Sequence, residues 1–119
     1  MSQDIQRQHS NARMSKIVRH GGLVFLCGQT SSGKTLPDIE SQTGEVLARI
    51  DALLAEAGSE RSRLLSATLY LKRMQDFAAM NTIWEAWILK GTAPARTTVQ
   101  ADLASPDLLI EITVVAASA

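Results

Sequence analysis

The chain has 119 residues, 45% of them apolar and 4% aromatic, with twelve Lys+Arg balanced by twelve Asp+Glu for a formal net charge of zero. That length predicts one domain, residues 1–119, with enough apolar side chains for a real core. The neutral balance offers no electrostatic footprint for nucleic acid, and a lone cysteine excludes an internal disulfide.

Residues 1–13 are polar and read as an N-terminal arm, loose or hugging an edge. "KIVRHGGLVFLCG" then reads as a hairpin. Two apolar-rich runs flank His20-Gly21-Gly22, and the glycines permit the positive φ of a tight turn. His20 is read as a plain turn residue. Next comes "GQTSSGKT", Gly28 to Thr35, which matches the phosphate-cradling pattern G-x-x-x-x-G-K-[ST] letter for letter. The pattern requires a helix starting at its Gly-Lys-Thr end. Pro37 disfavours helix at Leu36, so the match is read as an accident within a loop.

Asp38 can cap a helix whose apolar positions Ile39, Val46, Ile50, Leu53, Leu54 and Ala57 keep helical spacing, with Gly58 as its stop. "LLSATLYLKRM" reads as a strand. A second helix is predicted from near Asp76 to Gly91, with a stripe of Phe77, Met80, Ile83, Trp84, Trp87 and Ile88. Its two tryptophans are read as helix–sheet packing. "ARTTVQADL" and "DLLIEITVVAA" supply two more strands. The order β-β-α-β-α-β-β predicts an α+β fold with two helices on one face of a mixed sheet. The last strand is apolar on both faces, so a further copy of the chain is expected to cover the open one. With no 18-residue apolar run and no signal-like h-region, membrane spanning and secretion are not supported. A cytoplasmic location is the expectation.

Glu111 interrupts an apolar strand, sharing a face with Leu109, Thr113 and Val115. Desolvating a carboxylate is costly, which makes Glu111 a candidate general acid/base or one half of a structural ion pair. Arg96, at the start of the preceding strand, can pair with it or present its fork to a carboxylate from outside. Cys27 is read as a small buried hydrophobe, since neither His9 nor His20 is placed to activate it. Asn81 sits mid-helix and can face a cleft or water. One Cys and two His make no zinc site of the usual spacing.

Four segments together resemble the RidA/YjgF family of reactive-intermediate deaminases over residues 13–117. They are "RMSKIVRHGGLVFLCGQT", "LLAEAGSERSRLLSATLYL", "DFAAMNTIWEAW" and "GTAPARTTVQADLASPDLLIEITVVAA". Within the family the chain is similar to a less-studied bacterial branch. The resemblance implies a chorismate-mutase-like fold and a homotrimer whose sheets line a central barrel, with sites in the clefts between subunits. It implies hydrolysis of 2-imino acids, or their enamine tautomers, to 2-keto acids and ammonia, with no metal and no cofactor. Arg96 matches the arginine that holds the substrate carboxylate, and Glu111 the glutamate that activates water. Gly28 matches a backbone contact near the carboxylate, and Asn81 an asparagine near the cleft. The chain departs from many active members in three places: Cys27 stands for a serine, Thr98 for a cysteine, and Met14 for a tyrosine. A non-catalytic module binding small carboxylates such as 2-keto acids through Arg96 is the alternative. A nuclease role, attributed to some relatives, gains nothing from the neutral charge.

Overall fold

The computed structural model describes residues 4–119, and of the polar arm residues 1–3 lie outside that range. One six-stranded sheet forms from β1 (Gln6–Ser10), β2 (Ser15–His20), β3 (Leu23–Leu26), β4 (Leu64–Leu71), β5 (Ala95–Gln100) and β6 (Ile110–Ala117). Its order is β1-β2-β3-β6-β4-β5, antiparallel throughout except for the parallel β4–β5 pair. Two helices, α1 (Ile39–Glu56) and α2 (Phe77–Trp87), pack side by side on one face. The mixed α+β sheet with two helices on one face is therefore as the sequence predicts, with one strand more.

That extra strand, β1, corrects the reading of residues 1–13 as an arm. None of its residues is apolar, so no hydrophobic alternation marks it. It exists through backbone pairing with β2, from Gln6↔Arg19 to Ser10↔Ser15. The β2–β3 turn is the tight one expected. His20 pairs with Leu23, and Gly21 and Gly22 take φ of +58° and +80°, the positive values a two-residue hairpin needs at both central positions.

The core lies between the helices and the sheet. Val46, Ile50 and Leu54 of α1 and Met80 and Trp84 of α2 meet Leu69 and Leu71 of β4 and Ile110, Ile112 and Val114 of β6. Asp38 caps α1, its carboxylate accepting from the Ser41 N–H at 2.8 Å, and this bond holds its carboxyl below the usual range. Buried Gln42 ties α1 to the segment before β6: its amide donates to the carbonyls of Leu36 and Asp107 and accepts from the Leu109 N–H.

The second helix ends earlier than predicted. Ile88 is extended (φ −67°, ψ 133°), and the carbonyl of Trp87 accepts from Arg61 Nη1 at 2.9 Å. A guanidinium thus satisfies an oxygen that another helical turn would otherwise use. The loop Leu89–Thr92 then closes on a turn, with Gly91 at φ +81°.

Candidate active site

The loop that matches the phosphate pattern does not form a phosphate cradle. α1 begins at Ile39, well past Lys34, and an acid rather than an anion site caps it. Lys34 Nζ bonds Glu45 at 3.0 Å.

The first glycine of that pattern serves a different neighbour. Phe25 pairs with Val115, so an uninterrupted β3–β6 ladder would set Ile112 opposite Gly28. Instead Gln29 bridges Ile112, with backbone bonds of 2.9 and 3.1 Å in the two directions. One extra residue is accommodated in the Leu26–Gly28 stretch. This is a β-bulge, the device that re-aims backbone near many active sites. The Glu111 side chain lies against the bulge: a Cβ built on Gly28 would fall 2.0 Å from Oε2 and 2.9 Å from Cδ of Glu111. Cys27, half-buried, sits beside them. Burial pushes its thiol up from the ordinary value, and Gln29 Nε2 contacts its Sγ at 3.2 Å. Tyr70 stands opposite Glu111 in the ladder. With Thr113, Ala101, Asp102 and Leu103 they line a cleft of about 330 Å³.

Arg96 occupies the other side of the sheet. In the parallel ladder it pairs with buried Ala67, so it shares the helix-facing side. Its guanidinium lies 5.5 Å from the ring centre of Trp84 and 5.8 Å from that of Phe77. Such stacking suits a planar, delocalised cation and leaves its N–H fork available. Arg96, Trp84, Asn81, Ile88, Leu89 and Pro94 help line a second cleft of about 440 Å³. Asn81 Oδ1 is buried there without a partner, as is Thr98 Oγ1, two residues along from Arg96.

The predicted site residues thus fall into two groups. Cys27, Gly28 and Glu111 gather on the helix-free face, whereas Arg96, Thr98 and Asn81 gather on the helix side. Met14, exposed at the start of β2, lines neither cleft. Arg96 and Glu111 do not pair with each other, and among the described residues neither side chain makes a hydrogen bond or an ion pair. Of the two partners left open for Arg96, the one within its own chain is removed. Sequence reasoning missed Tyr70 and Asp102. It also took Trp84 as packing only, although that ring is both core and the bed of the guanidinium.

Comparison with known proteins places this arrangement. A family model described as endoribonuclease L-PSP matches residues 4–118. The RutC family protein YoaB of Escherichia coli K12 is 42% identical over 113 residues, covering 95% of this chain and 97% of that protein. A crystal structure of NMB1025, a YjgF-family protein of Neisseria meningitidis, superposes with a TM-score of 0.94 at 39% identity, covering 98% and 97% of the two chains. The chain belongs to the YjgF/RidA family. A further YjgF/RidA-like match is a Salmonella typhimurium structure described as a putative translation initiation inhibitor, with a TM-score of 0.86, 41% identity and coverage of 98% and 99%. The YjgF/RidA fold accounts for the shared sheet and helices.

Proposed function

We propose that this protein hydrolyses reactive 2-imino acids, or their enamine tautomers, to 2-keto acids and ammonia. Arg96 anchors the substrate carboxylate and Glu111 activates the attacking water. The observation that carries the reading is a pair of half-buried, unpartnered, oppositely charged groups on opposite faces of one sheet. Charges removed from water without partners are costly, so each is kept for something outside its own chain.

The chemistry is balanced without a cofactor. Water adds to the imine carbon while the Glu111 carboxylate takes its proton. Counted from the protonated imine, the resulting carbinolamine takes that proton back on nitrogen and expels ammonia, while its hydroxyl proton passes to the Glu111 carboxylate and on to solvent as the carbonyl forms. Arg96 contributes orientation through a charge-assisted fork on the carboxylate.

Because Arg96 and Glu111 face opposite ways, the reading takes one from each of two neighbouring protomers. The open sheet face carries Leu23 and Phe25, 37% and 40% exposed, which suits burial in a homotrimer. The endoribonuclease description of the family model is not adopted, since a net charge of zero gives RNA no electrostatic hold.

An amino-acid oxidase generating 2-imino acids in situ, with semicarbazide trapping what remains, tests this. The wild-type protein is expected to lower the trapped signal, and Arg96→Ala and Glu111→Gln each to lose about 100-fold or more of that effect. Refolding the two variants together is expected to restore part of the activity that neither has alone. A wild type without effect on small, branched and aromatic imines overturns the reading. If Arg96-dependent binding of 2-keto acids survived that result, a carboxylate-binding module would replace it.

A further inference from the structure

The cleft beside Arg96 is larger than a short imino acid needs. Its volume is about 440 Å³, within the roughly 300–1,000 Å³ of sites that take drug-sized ligands. Its composition is directional. The guanidinium of Arg96 marks one end, supported by the Trp84 ring. From there the wall continues through Ile88, Leu89, Ala93 and Pro94, all apolar. Leu89 is 47% exposed, an apolar side chain left at a cleft edge with little of its own to cover. Asn81 is the remaining uncharged polar group in the lining, while Glu85 and Lys90 are exposed there.

We infer that this cleft selects 2-imino acids, and the corresponding 2-keto acids, with large apolar side chains, branched or aromatic, over three- and four-carbon acids. The inference rests on the reading of Arg96 as the carboxylate anchor and adds to it the destination of the side chain. With the carboxylate on Arg96, a short substituent leaves the apolar wall wet, whereas a phenyl or isobutyl group displaces water from Ile88 and Leu89. Each buried methylene multiplies affinity by about fourfold. The early end of α2 creates the space: Ile88 turns outward into extended backbone at the point where another helical turn would fill it.

Isothermal titration of the full chain with phenylpyruvate, 4-methyl-2-oxopentanoate and 2-oxobutyrate tests the inference directly, without turnover. Phenylpyruvate and 4-methyl-2-oxopentanoate are expected to bind at least about tenfold more tightly than 2-oxobutyrate. Ala93→Phe, at an exposed loop position, is expected to bring that ratio below about threefold by weakening the two large acids. Leu89→Ser is a second variant that removes wall without filling space, and it is expected to weaken the two large acids more than 2-oxobutyrate. Equal affinities, or tighter binding of 2-oxobutyrate, overturn the side-chain inference. If binding is then still lost in Arg96→Ala, the anchor reading stands. Binding of large acids that is indifferent to Arg96→Ala overturns the anchor and the inference together, as does no binding of any of the three.

Discussion

The carboxylate of Glu111 fills the volume that a methyl on Gly28 would claim, with Oε2 2.0 Å from that position. The atom in the way is the far end of a flexible side chain, so Gly28→Ala is expected to push the carboxylate aside rather than unfold the protein. Stability should change by no more than about 1 kcal/mol. Imine hydrolysis should fall as far as in Glu111→Gln, because the base leaves its place. Thermal melting beside the imine-trapping assay reads both, and an active Gly28→Ala protein would sink the argument. Glu111 is legible in the sequence because a lone acid amid Leu, Ile and Val has no solvated reason to be there. Gly28 is legible only as a glycine. What it makes room for depends on a one-residue slip between two strands far apart in the chain, and no local pattern records that. The same limit applies to Arg96, whose face is set by its register against β4.

At the scale of elements, the end of α2 is held by a small network. Arg61 grips Asp51 with two nitrogens, at 3.1 and 2.6 Å, and donates to the Trp87 carbonyl. The Trp87 indole N–H returns to Asp51 at 2.9 Å, and the guanidinium lies 5.0 Å from the Trp87 ring centre. Trp87 in turn lies 5.6 Å from Trp84, which bears Arg96. Asp51→Ala leaves Arg61 and the indole N–H without their acceptor. A loss of about 1–2 kcal/mol follows, the lower end reflecting partial solvation of the pair. The melting temperature should drop by several degrees, and 2-keto acid affinity should weaken along with it as the Trp84 bed loosens. An Asp51→Ala protein that melts lower yet binds 2-keto acids as the wild type does would confine the network to structure. The helices, the glycine hairpin and the three later strands could be placed from the sequence, since each carries its own period or turn. β1 could not, having no apolar residue to give it a face, and the early end of α2 could not, because its cause is an arginine from another part of the chain.

For the whole molecule, the helix-free face is the one the proposed trimer would bury. Leu23, Phe25 and Val99 are substantially exposed on the described chain, and alternation along their strands places them on that face with Glu111. Phe25→Glu sets a charge in its middle, on a residue that a single chain does not bury. Monomer stability should change little, while light scattering coupled to gel filtration should show species smaller than the trimer proposed for the wild type. Imine hydrolysis should fall with it if two protomers share each site. A wild type that runs as a monomer would remove the proposed shared site.

The strand order carries one more consequence, for how the protein comes into being. β6 lies between β3 and β4, so the sheet's two halves share no strand pairing of their own. β1, β2 and β3 form a meander from neighbouring sequence, and β4 with β5 a separate parallel pair. The strand that joins them follows both in the chain, and with it comes Glu111. While the chain is being made, β3 and β4 each wait with the edge that β6 will fill still open, a state in which foreign strands compete for pairing. The sheet gains its continuity and the Glu111 carboxylate in a single late event.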